Sequence, residues 1–470
     1  MPTLRQTIGS VRGRRLISGG LLALLSLGLV EMWLVQGLVI PCRVVGDSMA
    51  PTLRGVHRRV TCGDCGFSFS CDAEGAVRAV CPNCGAMDQR LAERPDLVGD
   101  RVLIDRTAFW RCPPERWQVV ALRDPTQSDR LVVKRVVGLP GETIEIRCGD
   151  VYADGRIVRK NFAQQQAAAL LVHDADFPSQ RPAVSSRWRS ERSDSRWQCD
   201  AGRFFFSGTL VHGSRETSLD WLNYHHERRT AEDAVRPSAV LDLSGYNPGR
   251  ARREEDVRAV SDLMLSLRVG QMSGRGSLWI RATDGCDDFR VRLAFESDGW
   301  RRWQVFHGEG EGDAGSFGVR TGGSEAHRID VSLIDRQFLL AVDGRTVAVR
   351  RDLGDRPPTR GTDRPFGVAA EGIDVTIRQV RVYRDIFYRS VAGMQKIRLP
   401  ADHFYVLGDN SSESSDSRIW GEYAAVDAKF LLGNVLVAIP SVTFGPVFGR
   451  YFQVPNPLGI RYIQRQGDRD

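Results

Sequence analysis

At 470 residues the chain is too long for a single hydrophobic core, so about two to four domains are expected. Its formal charge of +7, from 65 basic and 58 acidic residues, is spread along the chain and excludes a nucleic-acid-binding surface as the organising feature. Only four of the basic residues are lysines (Lys134, Lys160, Lys396 and Lys429). Arginine cannot release its proton in a protein, whereas a desolvated lysine can, so each lysine is a candidate base in a way the arginines are not.

Residues 1–15 carry Arg5, Arg12, Arg14 and Arg15. Residues 16–40 then form an apolar run whose only charge is Glu31. Twenty helical residues span about 30 Å, the thickness of a bilayer core. The run predicts an uncleaved transmembrane signal anchor, with the basic N-terminus in the cytoplasm and everything after ~40 outside. A cleaved signal peptide is the rival, but the run is long for one and no small-x-small site follows it.

Residues Gly46-Asp-Ser48-Met-Ala-Pro-Thr-Leu53 read as a turn after an extended stretch. Ser48 there is a candidate nucleophile, with Met49 and Leu53 expected as an apolar rim facing the outer leaflet. Next come Cys62-Gly-Asp-Cys65 and Cys81-Pro-Asn-Cys84, 15 residues apart, each followed by a glycine. That spacing predicts a ribbon over 62–95 holding a structural zinc on Cys62, Cys65, Cys81 and Cys84. In an extracytoplasmic compartment two disulfides are the alternative. Cys71 is left as a spare thiol.

Lys134 sits in Leu131-Val-Val-Lys-Arg-Val-Val-Gly138, a β-branched run that predicts a buried strand. Burial lowers a lysine pKa by up to roughly three to five units, leaving a neutral amine fit for general-base work. A serine activated by such a lysine is a known nucleophile–base pair. Residues 163–202 are polar, charged and proline-containing and read as a linker with one short helix. From 203 to 390 the period becomes two, as in Phe289–Glu296, with an Asp-Gly hairpin at Asp343-Gly344. This predicts an antiparallel β-sandwich that resembles concanavalin or laminin-G jelly rolls. Finally, Tyr405-Val-Leu-Gly-Asp-Asn-Ser-Ser-Glu-Ser-Ser-Asp-Ser-Arg418 is a strand leading into a loop dense in hydroxyls. In it, Asp416 and Arg418 are candidates for a bracing ion pair.

Ser48-Met-Ala-Pro-Thr52, Gly99–Arg106, Lys134–Glu142 and Gly408–Arg418 resemble, in order, the sequence boxes of the type I signal peptidases. The resemblance covers about 40–61, 97–160 and 396–445. It implies a mainly β catalytic core of the signal-peptidase and LexA-like type, made from 41–61, 97–160 and 396–465, behind one transmembrane helix. The ribbon and sandwich would be insertions in that core. It further implies Ser48 as nucleophile, Lys134 as base, Ser414 as the hydroxyl orienting the lysine, and Asp409, Asp416 and Arg418 as loop supports, with no catalytic cofactor. The Ser48 N–H would be an oxyanion donor.

The implied activity is removal of signal peptides from exported preproteins after small-x-small sites, at a bacterial cytoplasmic membrane. The expected partners are those signal peptides, the bilayer, and a protein or glycan ligand of the sandwich. Two departures stand out: Gly46 replaces a serine that many members carry, and Ser411, Ser412 and Glu413 replace Arg-Asp-Asn, so the loop bracing should be rewired. The rival readings are a LexA-like self-cleaving regulator and a membrane-tethered binding protein with an inactive peptidase scaffold.

Overall fold

The computed structural model describes residues 18–32, 37–74, 78–87, 89–91, 94–181, 185–208, 219–230, 234–247, 257–296, 299–310, 312–316, 326–351, 353–354, 361–391, 393, 395–447 and 450–463. Residues 18–30 are helical. Among the described residues no helix is long and apolar enough to cross a membrane. Residues 1–17 and 33–36, which hold the basic N-terminus and parts of the expected anchor, lie outside the described residues.

The chain is mainly β. One eight-stranded sheet runs in the order Val39–Arg43, Arg101–Asp105, Leu431–Ile439, Val119–Arg123, Leu131–Gly138, His403–Leu407, Val426–Asp427, with Arg461–Tyr462 added to Leu431–Ile439. Its central strands are almost wholly apolar (Val-Val-Ala-Leu in 119–122 is buried throughout), as expected where both faces are covered. A four-stranded sheet built from Arg156–Ile157, Asp150–Ala153, Thr143–Arg147 and Ile397–Arg398 stands beside it. Chain from both ends of the sequence therefore meets in each sheet.

Between these two halves lies a 13-stranded antiparallel sheet, dominated by Leu263–Thr283 and Phe366–Arg384, which pair along most of their length. Register shifts within that pair let each long strand bend, and residues from nearly every strand of the sheet close on one hydrophobic core. The hairpin turns follow local chemistry. Asp343 (φ 49°) and Gly344 (φ 83°) close one turn, and Asp335 and Arg336 (φ 52° and 51°) another, the left-handed geometry of two-residue hairpins.

The segment 163–202 corrects the expectation of a linker. A helix, Phe162–Ala168, capped by Asn161, is followed by Leu170–Asp174, which pairs with Phe366–Arg384. Trp188–Ser190 and Trp197–Asp200 join the same sheet, which therefore begins near 170 and not at 203. The polar residues that suggested a linker are held by distant partners. Asp174 pairs with Arg381 at 2.8 Å, and buried Asp220 accepts from Ser190, Ser195 and the Arg196 N–H.

Around the cysteines, Ser68–Asp72, His57–Thr61 and Asp96–Leu97 form a three-stranded sheet, and Arg78–Ala79 pairs with Gln89–Arg90. This unit is fastened to the large sheet. Asp64 accepts from Ser179 and Arg229, the Asn83 side chain bridges the Asp174 N–H and Phe177 O, and Phe67 packs edge-on to Phe177.

Candidate active site

Ser48 lies half-buried in a tight turn closed by Ala50 N to Asp47 O and Leu53 N to Met49 O, both 2.9 Å. Met49 and Leu53 do not form a membrane-facing rim: both are buried against Val102, Ile104 and Val435, anchoring the turn to the sheet. Two hydrogen bonds hold the turn to the far loop: Asn410 N donates to Ser48 O at 3.0 Å, and Asn410 Nδ2 to Asp47 O at 3.1 Å. Among the described residues the Ser48 N–H and Oγ have no hydrogen-bond partner.

Lys134 sits mid-strand opposite Val120, 2% exposed, and Nζ donates to Ser414 Oγ at 3.2 Å. Desolvation drives its pKa down to about 8; the nearby charges of Asp416 and Asp124 oppose this, and those of Arg418 and Arg130 add to it. Among the described residues no carboxylate forms a salt bridge with it, and no hydrogen bond joins it to Ser48. The two meet through the loop: a Cβ on Gly408 would collide with both Ser414 Oγ and the Ser48 carbonyl oxygen, so only glycine lets serine turn and lysine partner close on one another.

Because strand neighbours face opposite ways, Arg135 points away from Lys134 and makes a buried two-pronged pair with Asp409 at 2.8 and 2.6 Å. Asp409 also accepts from Thr52 Oγ1 at 2.6 Å, tying the lysine strand to the serine turn. Asp416 accepts from Gly408 N at 3.0 Å and from Arg418 at 2.8 and 2.7 Å. Arg418 in turn donates to Ser411 Oγ, Ser411 O and Arg389 O. Ser411 thus takes a structural place in the altered loop.

Sequence reasoning missed Arg135, adjacent to the chosen lysine, and Asn247. Asn247, from the segment that precedes the long strands, exchanges two amide hydrogen bonds with Asn410 at 2.8 and 2.9 Å. The Lys134-Arg135 doublet in an apolar run was a readable signal for the first; nothing local marks the second.

Two groups have metal-ligand spacing. In the ribbon, Gly66 and Gly85 both adopt positive φ (74° and 73°), and the knuckles are closed by Gly66 N to Cys62 O and Gly85 N to Cys81 O. Cys62 and Cys84 sulfurs lie 3.6 Å apart and Cys65 and Cys81 sulfurs 3.7 Å, with no disulfide among them. A zinc–sulfur bond of about 2.3 Å sets tetrahedral sulfur separations near ~3.8 Å, so the four thiols fit that ion. Cys71 is fully buried, its thiol pushed up to about 11 by burial, which leaves it inert. The second group is Asp150, Asp262 and Asp335, where Lys160 already supplies a cation, at 2.8 Å from Asp335 and 2.7 Å from Asp385.

The chain is mainly β, and the comparisons narrow the class. The family described as signal peptidase, peptidase S26, matches residues 86–220 and 357–439, spanning Lys134 and the 408–418 loop but beginning after Ser48. These matches support a type I signal peptidase family for the chain. Signal peptidase I of Pseudomonas aeruginosa is 26% identical over 172 residues, 33% of this chain and 55% of that protein. Signal peptidase I of Leptolyngbya laminosa is 29% identical over 75 residues, 14% of this chain and 36% of that protein. The chain thus spans about half or less of these relatives. Among solved structures, an endo-β-1,3-glucanase from Pyrococcus furiosus covers 53% of this chain and all of its own at 10% identity and a TM-score of 0.28, too low to carry any argument.

Proposed function

We propose that this chain is a membrane-anchored endopeptidase that removes signal peptides from exported preproteins, with Ser48 as nucleophile and Lys134 as general base. The observation that carries the reading is a buried amine, free of any salt bridge among the described residues and with a lowered pKa, whose hydroxyl partner Ser414 crowds Gly408, the residue that also abuts the Ser48 carbonyl. In the resting enzyme a base and its nucleophile often stand apart until substrate tightens the site.

Neutral Lys134 accepts the Ser48 hydroxyl proton as Oγ attacks the scissile carbonyl. The free Ser48 N–H is available to the developing oxyanion. The lysine then returns the proton to the departing amine, leaving an ester on Ser48, and deprotonates the water that hydrolyses it. Ser414 holds the amine in place. Asp409 and Asp416, with Arg135 and Arg418, keep the two loops in register. Substrate would lie as an extended strand, with small residues at the first and third positions before the cut. Residues 16–40 would be the anchor, with the N-terminus cytoplasmic. The four cysteines would hold one structural zinc, detectable as one zinc per chain by elemental analysis.

The test is cleavage of a preprotein by the full chain in detergent, beside Ser48→Ala and Lys134→Met. Both variants should lose activity while keeping their far-UV circular dichroism. Unchanged cleavage by Lys134→Met would remove the lysine from the mechanism.

A further inference from the structure

A cavity of about 840 Å³ opens where the cysteine unit, the large sheet and the end of the chain meet. Its size falls within the range of about 300–1,000 Å³ typical of small-molecule sites. About half its lining is apolar, including Phe67, Val172, Leu241 and Val442. Its charge is one-sided: seven arginines line it against a single carboxylate, Glu227.

The carboxylates that do answer these arginines lie behind the wall. Arg54 and Arg461 share Asp100, and Arg229 takes Asp64. Arg187 gives one amine to Glu227 O and also lies within hydrogen-bond reach of Tyr224. Arg59 lies exposed on the lining strand. Seven guanidinium groups and one carboxylate around a half-apolar hollow favour a ligand that joins negative charge to an apolar body.

We propose that this cavity binds an anionic amphiphile, its acidic head on the arginines and its apolar body against the phenylalanine, leucine and valine side chains. The head is a carboxylate or a phosphate, supplied by a free fatty acid or by an acidic membrane lipid. An inorganic anion would leave the apolar walls unfilled, and an uncharged lipid would leave the excess positive charge of the lining uncompensated.

The full chain, released from non-ionic detergent into native mass spectrometry, tests this with four probes: oleate, oleyl alcohol, dioleoylphosphatidylglycerol and dioleoylphosphatidylcholine. One retained molecule of oleate or of phosphatidylglycerol is expected, with at least tenfold less retention of the uncharged or zwitterionic counterpart. Retention of oleate alone identifies a free carboxylate as the source; retention of phosphatidylglycerol alone identifies the membrane. An Arg59→Glu/Arg187→Gln double variant should lose the adduct at least tenfold, and Leu241→Trp, which narrows the cavity without touching charge, should also lose it. Where the double variant fails to fold by circular dichroism, Arg59→Glu alone carries the charge test. Equal retention of oleyl alcohol and oleate, no retained molecule, or undiminished retention by folded charge variants would overturn the proposal. The readout needs no turnover, so it stands or falls apart from the peptidase reading.

Discussion

Lys134 and Lys160 are both buried, yet their surroundings push them in opposite directions. Lys134 meets a hydroxyl, and loss of water lowers its pKa to about 8. Lys160 loses as much water, but Asp335 and Asp385 grip its amine and Trp117 lies 4.1 Å beneath it, so it stays charged. Burial alone does not make a base. An amine becomes one only where the protein withholds carboxylates, and here the same chain withholds them at one lysine and supplies them at the other.

The largest expected effect separates the two outright. Lys134→Met should lower kcat for preprotein cleavage roughly 10³-fold or more while leaving stability nearly unchanged, since a buried amine with one hydroxyl partner contributes little to folding. Lys160→Met should do the reverse. It strands two buried carboxylates, costing about 3–5 kcal/mol in denaturant unfolding, with kcat retained in whatever remains folded.

The pH dependence sharpens the contrast. Cleavage should rise with pH to a plateau, with its midpoint near the pKa of about 8 at Lys134, as the amine becomes neutral. Because that value is lowered on folding, the unfolded chain binds more protons between about 8 and 10.5, and this group's contribution to stability grows with pH over that window. The acidic cluster around Lys160 behaves oppositely. Burial and the neighbouring Asp335 and Asp385 charges raise Asp262 to about 7, so the folded chain holds extra proton there. Stability from that group is full at low pH and is lost as pH climbs from the ordinary carboxylate range through about 7. Burial and the same neighbouring carboxylates also raise Asp150 well above the ordinary range, so Asp150→Asn, which removes a carboxyl the fold must keep protonated, should raise the melting temperature at pH 8 and change it little at pH 4.

Smaller effects probe the loop. Ser414→Ala should lower kcat about tenfold and broaden the pH midpoint, since one hydrogen bond of ~1 kcal/mol orients the amine. Asn247→Ala should lower kcat only severalfold, because Asn410 keeps its two bonds to the serine turn. An Asn247→Ala enzyme indistinguishable from wild type would remove the large sheet from any part in setting the site.

Lys134, the cysteine knuckles and the Asp-Gly hairpin were legible in the sequence because their chemistry is local. A lysine in a β-branched run, a C-x2-C followed by glycine, and a two-residue turn each announce themselves within about eight positions. What was hidden depends on partners far along the chain. Asp409 is 274 residues from Arg135, and Asp335 is 175 from Lys160, so neither ion pair can be read until folding supplies the carboxylate. The misread linker has the same cause. Its polarity was real, but its buried Asp174 pairs with Arg381, and its Ser190 and Ser195 donate to buried Asp220 beyond the segment, partners that composition cannot locate.

Asn410 touches two other pieces of chain at once: the serine turn, through the carbonyls of Asp47 and Ser48, and the amide of Asn247. Nearby, Arg389 sits where the large sheet hands the chain back, its side chain on Asp242 and its N–H on Ser411. Anyone seeking a minimal protease by excising residues 170–388 would therefore cut away the outer jaw of a vice. Rejoining the ends would restore chain continuity yet leave the loop that positions the lysine gripped from one side.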